Sequence, residues 1–288
     1  MCFLCELKSS STLAPSSADN GHGWHPRRGF LMAAGTAVAG TALAQVDVGE
    51  ASMFRGFASA EKMDSEAKQA YSQELAKAQS QNALARNDNL QLIRLHSIAH
   101  RMIPFASQWN PRASNWRWEV NLIGSKQINA WCMPGGKIAF YTGILDRLQL
   151  TEDEIAMVMG HEMAHALREH ARERMGKTKV TGIGLSVASA LLGLGQLGDV
   201  AANFGTQFLS LKFSRDDETE ADLVGLEIAA RAGYRPEASV QLWKKMLANN
   251  SNGGLSWLST HPSGGNRIQE LEANLPKVQH LYLEAKRG

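Results

Sequence analysis

Little in this sequence points to a disulfide scaffold. Its 288 residues hold three cysteines, two of which, Cys2 and Cys5, stand at the very start. Only Cys132 lies in the body, so a fold lacking the first residues cannot rest on an internal disulfide. Charge of one sign is equally scarce. The net charge is +2, and no basic stripe with interleaved aromatics occurs, which argues against a nucleic-acid partner. Acidic tails, heptad runs and internal repeats are absent as well, which sets aside coiled coils and solenoids. Long uninterrupted apolar runs are missing. The stretch Phe30 to Ala44 is short and weakly hydrophobic for a membrane span. The Gly/Ala/Leu-rich stretch 180–197 is broken by Thr181, Ser186, Ser189 and several glycines. It reads as part of a packed helical hairpin over 179–213, with membrane association as the alternative. At 44% hydrophobic and 20% charged residues, the chain is globular and long enough for one large domain or two small ones.

The N-terminal region reads as an export signal. Arg27-Arg28-Gly29-Phe30-Leu31 opens a modest apolar stretch that ends in Ala42-Leu43-Ala44-Gln45, a small-x-small cleavage site. Paired arginines of this kind resemble the twin-arginine type, which exports folded proteins. Residues 1–44 are therefore expected to be a leader and 45–288 a single domain in the periplasm. An uncleaved leader anchored in the inner membrane is the alternative. Cys2-x-x-Cys5 and His22-x-x-His25 have ligand-like spacing, but no hydrophobic period lies between them to fold a finger, so no metal is expected there.

Beyond the leader, composition predicts an exposed helix from Ser59 to about Ala85 and a second from Leu90 to Met102, stopped by Pro104. Trp116 to Ile123, Ile128 to Met133 and Lys137 to Thr142 read as short strands, the last two joined by Pro134-Gly135-Gly136. Thr151-Glu152-Asp153-Glu154 is a capping box. It starts a helix predicted to run to about Arg174, with an apolar, buried first half and a charged end emerging into solvent. Helices over about 217–232, 236–248 and 265–275 follow, the last after a Ser/Asn/Gly-rich loop at 250–264. The sum is an α+β fold, predominantly helical, with one small sheet.

The predicted helix carries His161-Glu162-Met163-Ala164-His165. Residues four apart share a helix face, so His161 and His165 are placed to bind one ion. Glu162 lies about 100° round the helix, where it suits a general base acting on a water that the ion activates. Burying two histidines and a glutamate on an apolar helix is costly unless they are paired or metal-bound. A catalytic zinc site needs a third protein ligand, and Glu218 is the best candidate. Asp222, four residues on, can accept the second ring N–H of a ligating histidine. Standing alone, the segment around them reads equally well as a solvated acidic helix face.

His161-Glu162-x-x-His165, followed by Ser214-Arg215-x-x-Glu218-x-x-Ala221-Asp222 and Gly225, resembles the HtpX- and BepA-type zinc metallopeptidases. That family also includes the Ste-type and mitochondrial Oma-type proteases. The similarity covers roughly Ser59 to Leu275. It implies a zincin-like domain, one zinc ion per chain, and Glu218 as the third ligand. Ile128-Asn129-Ala130-Trp131 resembles the family's edge strand beside the cleft. Asn129 is accordingly a candidate substrate contact, with a strand-end residue as its plain alternative. Thr260-His261-Pro262 with Arg267 also matches. By that resemblance His261 reaches the zinc and acts as a self-inhibiting switch, or else it hydrogen-bonds the oxyanion; from spacing alone it reads as an ordinary loop histidine. Arg267 is expected to anchor the loop or pair with a carboxylate. Glu220 points away from the Glu218–Asp222 face, and His170, five residues past His165, is expected in solvent.

HtpX- and Ste-like members carry several membrane spans, and BepA-like members carry helical repeats. Neither feature is legible here, so a minimal exported peptidase is expected. It would hydrolyse unfolded or misassembled envelope proteins through a zinc-activated water. The alternative is a chaperone-like or scaffold protein with a self-inhibited, rarely active site. Nothing in the sequence speaks to oligomeric state.

Overall fold

In the computed structural model, residues 46–178, 208–250, 256–262 and 264–287 are described. The expected leader, the Cys2/Cys5/His22/His25 set and the stretch 180–197 lie outside them. Among the described residues, no helix is long and apolar enough to cross a membrane.

Two helices precede the sheet, α1 (Ala60–Ser80) and α2 (Leu90–Met102). Ser59 and Asn89 cap them, each side chain accepting backbone N–H groups of the first turn. The sheet has three strands, β1 (Glu119–Ile123), β2 (Ala130–Met133) and β3 (Lys137–Tyr141), in the order β1-β3-β2. β3 pairs parallel to β1 and antiparallel to β2. The hairpin between β2 and β3 turns through Gly135 and Gly136, both at positive φ, a conformation that favours glycine.

Alternation along the strands puts the two faces of the sheet into different cores. Cys132, Ile138 and Phe140 pack with α2 and the later helices. Trp131, Met133 and Ala139 pack against Met63, Ala67 and Tyr71 of α1. Tyr71 ties α1 to the sheet by donating to the Ile138 carbonyl at 2.7 Å.

Among the described residues, the later α-helices include α3 (Thr142–Leu148), α4 (Glu152–Leu167), α5 (residues 170–178), α6 (Arg215–Arg231), α7 (Ala238–Asn249), α8 (Ser256–Thr260) and α9 (Arg267–Ala285). The fold is mainly helical with one small sheet, as the sequence predicts. The capping box at Thr151 and Glu154 is present in both directions.

Four local expectations need correction. The helix predicted to run unbroken to Arg174 ends at Leu167, because Glu169 adopts a left-handed φ of 58° and a new helix begins at residue 170. Its charged end emerges only in part: Arg168, Glu169 and His170 are buried, the charges of Arg168 and Glu169 being matched by partners, while Arg174 and Lys177 are exposed as expected. The expected loop at 250–264 contains α8. The last helix continues past Leu275 and through Pro276 to Ala285. Pro276 lies on the outer side of the helix, where the carbonyl deprived of its partner can be hydrated. Helix α3 has no signal of its own in the sequence. Its Gly143 sits against the backbone of Lys126 and Gln127 with no room for a Cβ.

Candidate metal centre

The site forms where α4 and α6 cross. Their backbones touch at Gly160 and Gly225: a Cβ on Gly225 would lie 2.6 Å from Gly160 C and His161 N, and one on Gly160 would lie 2.7 Å from Gly225 O. This close approach brings the His161–His165 face of α4 against the Glu218–Asp222 face of α6. The capping box at Ser214 and Asp217 starts α6 just ahead of Glu218. From the opposite side, α8 delivers His261, whose N–H bonds back to the Trp257 carbonyl at 2.9 Å.

Four buried side chains, His161, His165, Glu218 and His261, converge with one ligand atom each. His161 Nε2 lies 3.1 Å from His165 Nε2 and 3.3 Å from His261 Nδ1. Glu218 Oε1 lies 2.9 Å from His261 Nδ1 and 3.4 Å from His165 Nε2, and Glu218 Oε2 is 3.6 Å from His161 Nε2. Donors arranged tetrahedrally at zinc-like bond lengths would stand roughly 3.3–3.4 Å apart, close to the middle of this range. The chemistry agrees. The Asp222 carboxylate can only accept from His161 Nδ1, 3.0 Å away, which in a neutral ring leaves the Nε2 lone pair of His161 facing the Glu218 carboxylate. Acceptors converging in a buried site call for a cation between them. The residues present therefore fit a zinc ion.

Around the donors lies a shell of oriented partners. Arg267, itself buried, donates to both oxygens of Asp222 at 2.6 and 2.7 Å and to Glu218 Oε2 at 2.7 Å. Its guanidinium stacks 3.7 Å over the Trp243 ring. Phe213 stacks on His165 with ring centroids 3.9 Å apart, and Trp257 stacks on His261 at 4.6 Å. Glu162 sits beside the donors. It accepts from Trp257 Nε1 at 2.7 Å and lies 3.6 Å from His261 Nε2.

Burial shapes the titration of these groups. It raises the Glu162 carboxyl, against the pull of His261 and His161. It drives His165 well below the usual imidazole range. Burial works against ionised Glu218 too, but His261, His165 and His161 outweigh it and hold that carboxyl far below the ordinary range. For His261, burial opposes protonation while Glu162 and Glu218 favour it, and the balance is upward. Such divergent environments for two neighbouring carboxylates are the arrangement used to separate a proton carrier from a permanently charged group.

The structure brings six residues expected at the site, His161, Glu162, His165, Glu218, Asp222 and His261, into one cluster. Asn129 sits immediately before β2 and lines a cleft shared with Glu162, His165 and His261. Its Oδ1 accepts the Ala130 N–H at 3.0 Å, so its side chain also closes the strand end. His170 departs from expectation: it is 2% exposed, and its Nδ1 lies 2.9 Å from His165 Nδ1. Glu220, off the Glu218–Asp222 face, meets His170 and Arg168. Trp257 and Phe213 belong to no motif, and sequence reasoning misses both. The one available signal is that Trp257 stands a helical turn before His261.

With this geometry established, known proteins offer a comparison. The model of peptidase family M48 matches residues 89–275. The chain is 39% identical over 169 residues to mitochondrial metalloendopeptidase OMA1 of Schizosaccharomyces pombe, covering 58% of this chain and 49% of that protein. It is 30% identical over 180 residues to the human mitochondrial metalloendopeptidase OMA1, covering 58% and 34%. To the beta-barrel assembly-enhancing protease of Escherichia coli it is 26% identical over 176 residues, covering 57% and 36%. The chain thus spans half or less of the length of these relatives.

Proposed function

This chain belongs to peptidase family M48, and on that premise we propose that it is a zinc-dependent metalloendopeptidase. The observation that carries the reading is the convergence of four buried donors, all within 4.8 Å of one another, with Glu162 beside them. Held by His161, His165 and Glu218, a zinc ion would supply Lewis-acid polarisation of a scissile carbonyl and make a water nucleophilic near neutral pH.

The protein's own groups do the rest. Glu162 takes the proton of the attacking water and passes it to the leaving amine, a role suited to a carboxyl whose affinity for protons is raised by burial. The Trp257 N–H holds Glu162 in place at 2.7 Å. Asp222 fixes the ring of His161, and Arg267 fixes Asp222. β2, at the edge of the sheet and beside Asn129, supplies a strand against which an extended polypeptide can lie.

His261 supports a second layer to this reading. All four donors are almost fully buried, and Phe213 and Trp257 sandwich the His261 side of the cluster. In this closed arrangement His261 would take the fourth donor position of a bound ion, leaving the enzyme self-inhibited at rest. A chaperone-like protein with a rarely active site is the limit of the same behaviour. The substrates are proposed to be unfolded or misassembled proteins, and the setting the periplasmic envelope, on the strength of the twin-arginine-type leader at 1–44. Membrane attachment through that leader, or through 180–197, is the alternative form and is separated by carbonate extraction of the native protein.

The direct experiment is cleavage of an unfolded protein by wild type and by Glu162→Gln, with zinc measured in both. Activity lost with zinc retained is expected. Equal activity in the two would overturn the mechanism.

A further inference from the structure

His165 has an outer partner that the helical periodicity of α4 forbids. In a continuous helix, a residue five positions on stands about 140° away from His165 and cannot reach its ring. Here α4 stops at Leu167, Glu169 turns left-handed at φ 58°, and α5 begins with His170 folded back under His165. A left-handed glutamate is disfavoured and persists only where its surroundings hold it. Glu169 is held by three arginines: Arg112 at 2.9 Å, Arg172 at 2.8 Å and Arg55 at 3.6 Å. Its neighbour Arg168 is pinned as well, giving Nε to Glu220 at 2.7 Å and Nη2 to the Gly49 carbonyl at 2.9 Å.

The hydrogen bonds along this path have one consistent direction. Glu220 is paired with Arg168 and so stands as a carboxylate. A carboxylate only accepts, so His170 Nε2, 3.3 Å away, donates to it. In neutral His170 the other nitrogen, Nδ1, is then an acceptor, and the group 2.9 Å from it is His165 Nδ1. His165 donates there, which leaves its Nε2 lone pair directed at His161 Nε2 and Glu218 Oε1.

We propose that His170 is a positioning residue for the metal site, fixing the tautomer and ring orientation of His165 and itself held by Glu220 and Arg168. The break at Glu169 exists to place it. The site then has two outer supports of the same plan, His161–Asp222–Arg267 and His165–His170–Glu220–Arg168, each ending on an arginine. Both carboxylates come from α6, within about one turn of Glu218. This rests on the reading of the four-donor cluster as a zinc site.

The test is zinc affinity by chelator competition, with the melting temperature of each metal-free protein measured alongside. His170→Ala is expected to weaken zinc binding roughly 10–100-fold, beyond any change in metal-free stability. His170→Asn, whose amide oxygen can accept where Nδ1 did, is expected to recover most of the loss. Recovery distinguishes positioning from packing. Wild-type affinity in His170→Ala, or equal loss in Ala and Asn, would overturn the proposal. Should His170→Ala fail to fold, Glu220→Ala carries the same test: weakened zinc binding supports the proposal and wild-type affinity overturns it. A wild-type chain that takes up no zinc overturns the metal-centre reading and this proposal together, whereas unaltered affinity in the variants overturns this proposal alone.

Discussion

Replacing Gly225 by alanine tests the contact on which the site is built. The added Cβ would sit 2.6 Å from Gly160 C and from His161 N, closer than real Cβ contacts come. Both obstacles are backbone inside a buried helix, so neither can rotate away. α4 and α6 must separate by about 0.8 Å to restore ordinary contact, and overpacking of this sort costs about 1–3 kcal/mol. For a domain of this size that is a fall of roughly 2–12 °C in melting temperature. The same displacement reaches the chemistry, because His161 adjoins the clash and Asp222 lies one turn before Gly225. Their 3.0 Å hydrogen bond would open to about 3.8 Å, past useful hydrogen-bonding reach. Gly225→Ala should therefore lose both thermal stability and zinc affinity, measured by calorimetry of the metal-free protein and by chelator competition. Gly56→Ala is the control, since a Cβ there meets nothing within 4 Å, and it should change neither. An unaltered melting temperature and zinc affinity in Gly225→Ala would refute the tight crossing as the basis of the site.

Three further outcomes follow from the site's electrostatics and closure. His261→Ala removes the fourth donor and the group stacked on Trp257, so cleavage of an unfolded protein should accelerate several-fold with zinc retained; an unchanged or slower rate would count against self-inhibition. Stability of the metal-free protein should fall in acid. Burial raises Glu220 and Asp222, but His170 and Arg168 in one case and Arg267 and His161 in the other hold both below the ordinary carboxylate range. Their contribution is complete above the unfolded values near pH 4 and is lost as pH drops through the lower folded values. Glu162 has the opposite sign, since burial raises it, so Glu162→Gln should melt higher than wild type at neutral pH, with the gain vanishing below about pH 4.5. A melting temperature that does not respond to acid, or a Glu162→Gln protein no more stable at pH 7, would contradict these assignments.

Much of the fold is legible in the sequence because it is written in local periodicity. The Thr151 capping box, the limits of α2 and the turn at Pro134-Gly135-Gly136 each depend on neighbours a few residues away. The pentapeptide from His161 to His165 is likewise local: four-residue spacing on one helix brings two imidazoles to one face. The pairing of that helix with the segment 214–225 is legible only through family resemblance, since spacing alone cannot say which distant carboxylate faces a helix. Gly225 is the residue that converts the resemblance into physics, because only a missing Cβ permits the crossing.

What the tertiary structure alone decided is the surroundings of His165 and His261. Extrapolating the helix past Leu167 puts Arg168, Glu169 and His170 in solvent. Three arginines, two of them from distant segments, instead stabilise a left-handed Glu169 and turn the helix back on itself. Nothing local predicts that, since Arg55 and Arg112 are far from Glu169 along the chain. Trp257 and Phe213 are similar: as sequence they are ordinary apolar residues, and only packing makes them the walls that close on His261. Sequence by itself determined that this chain has the parts of a metal-dependent hydrolase. The fold decided how those parts are aimed, because hydrogen-bond direction and donor spacing are properties of groups brought together from distant segments.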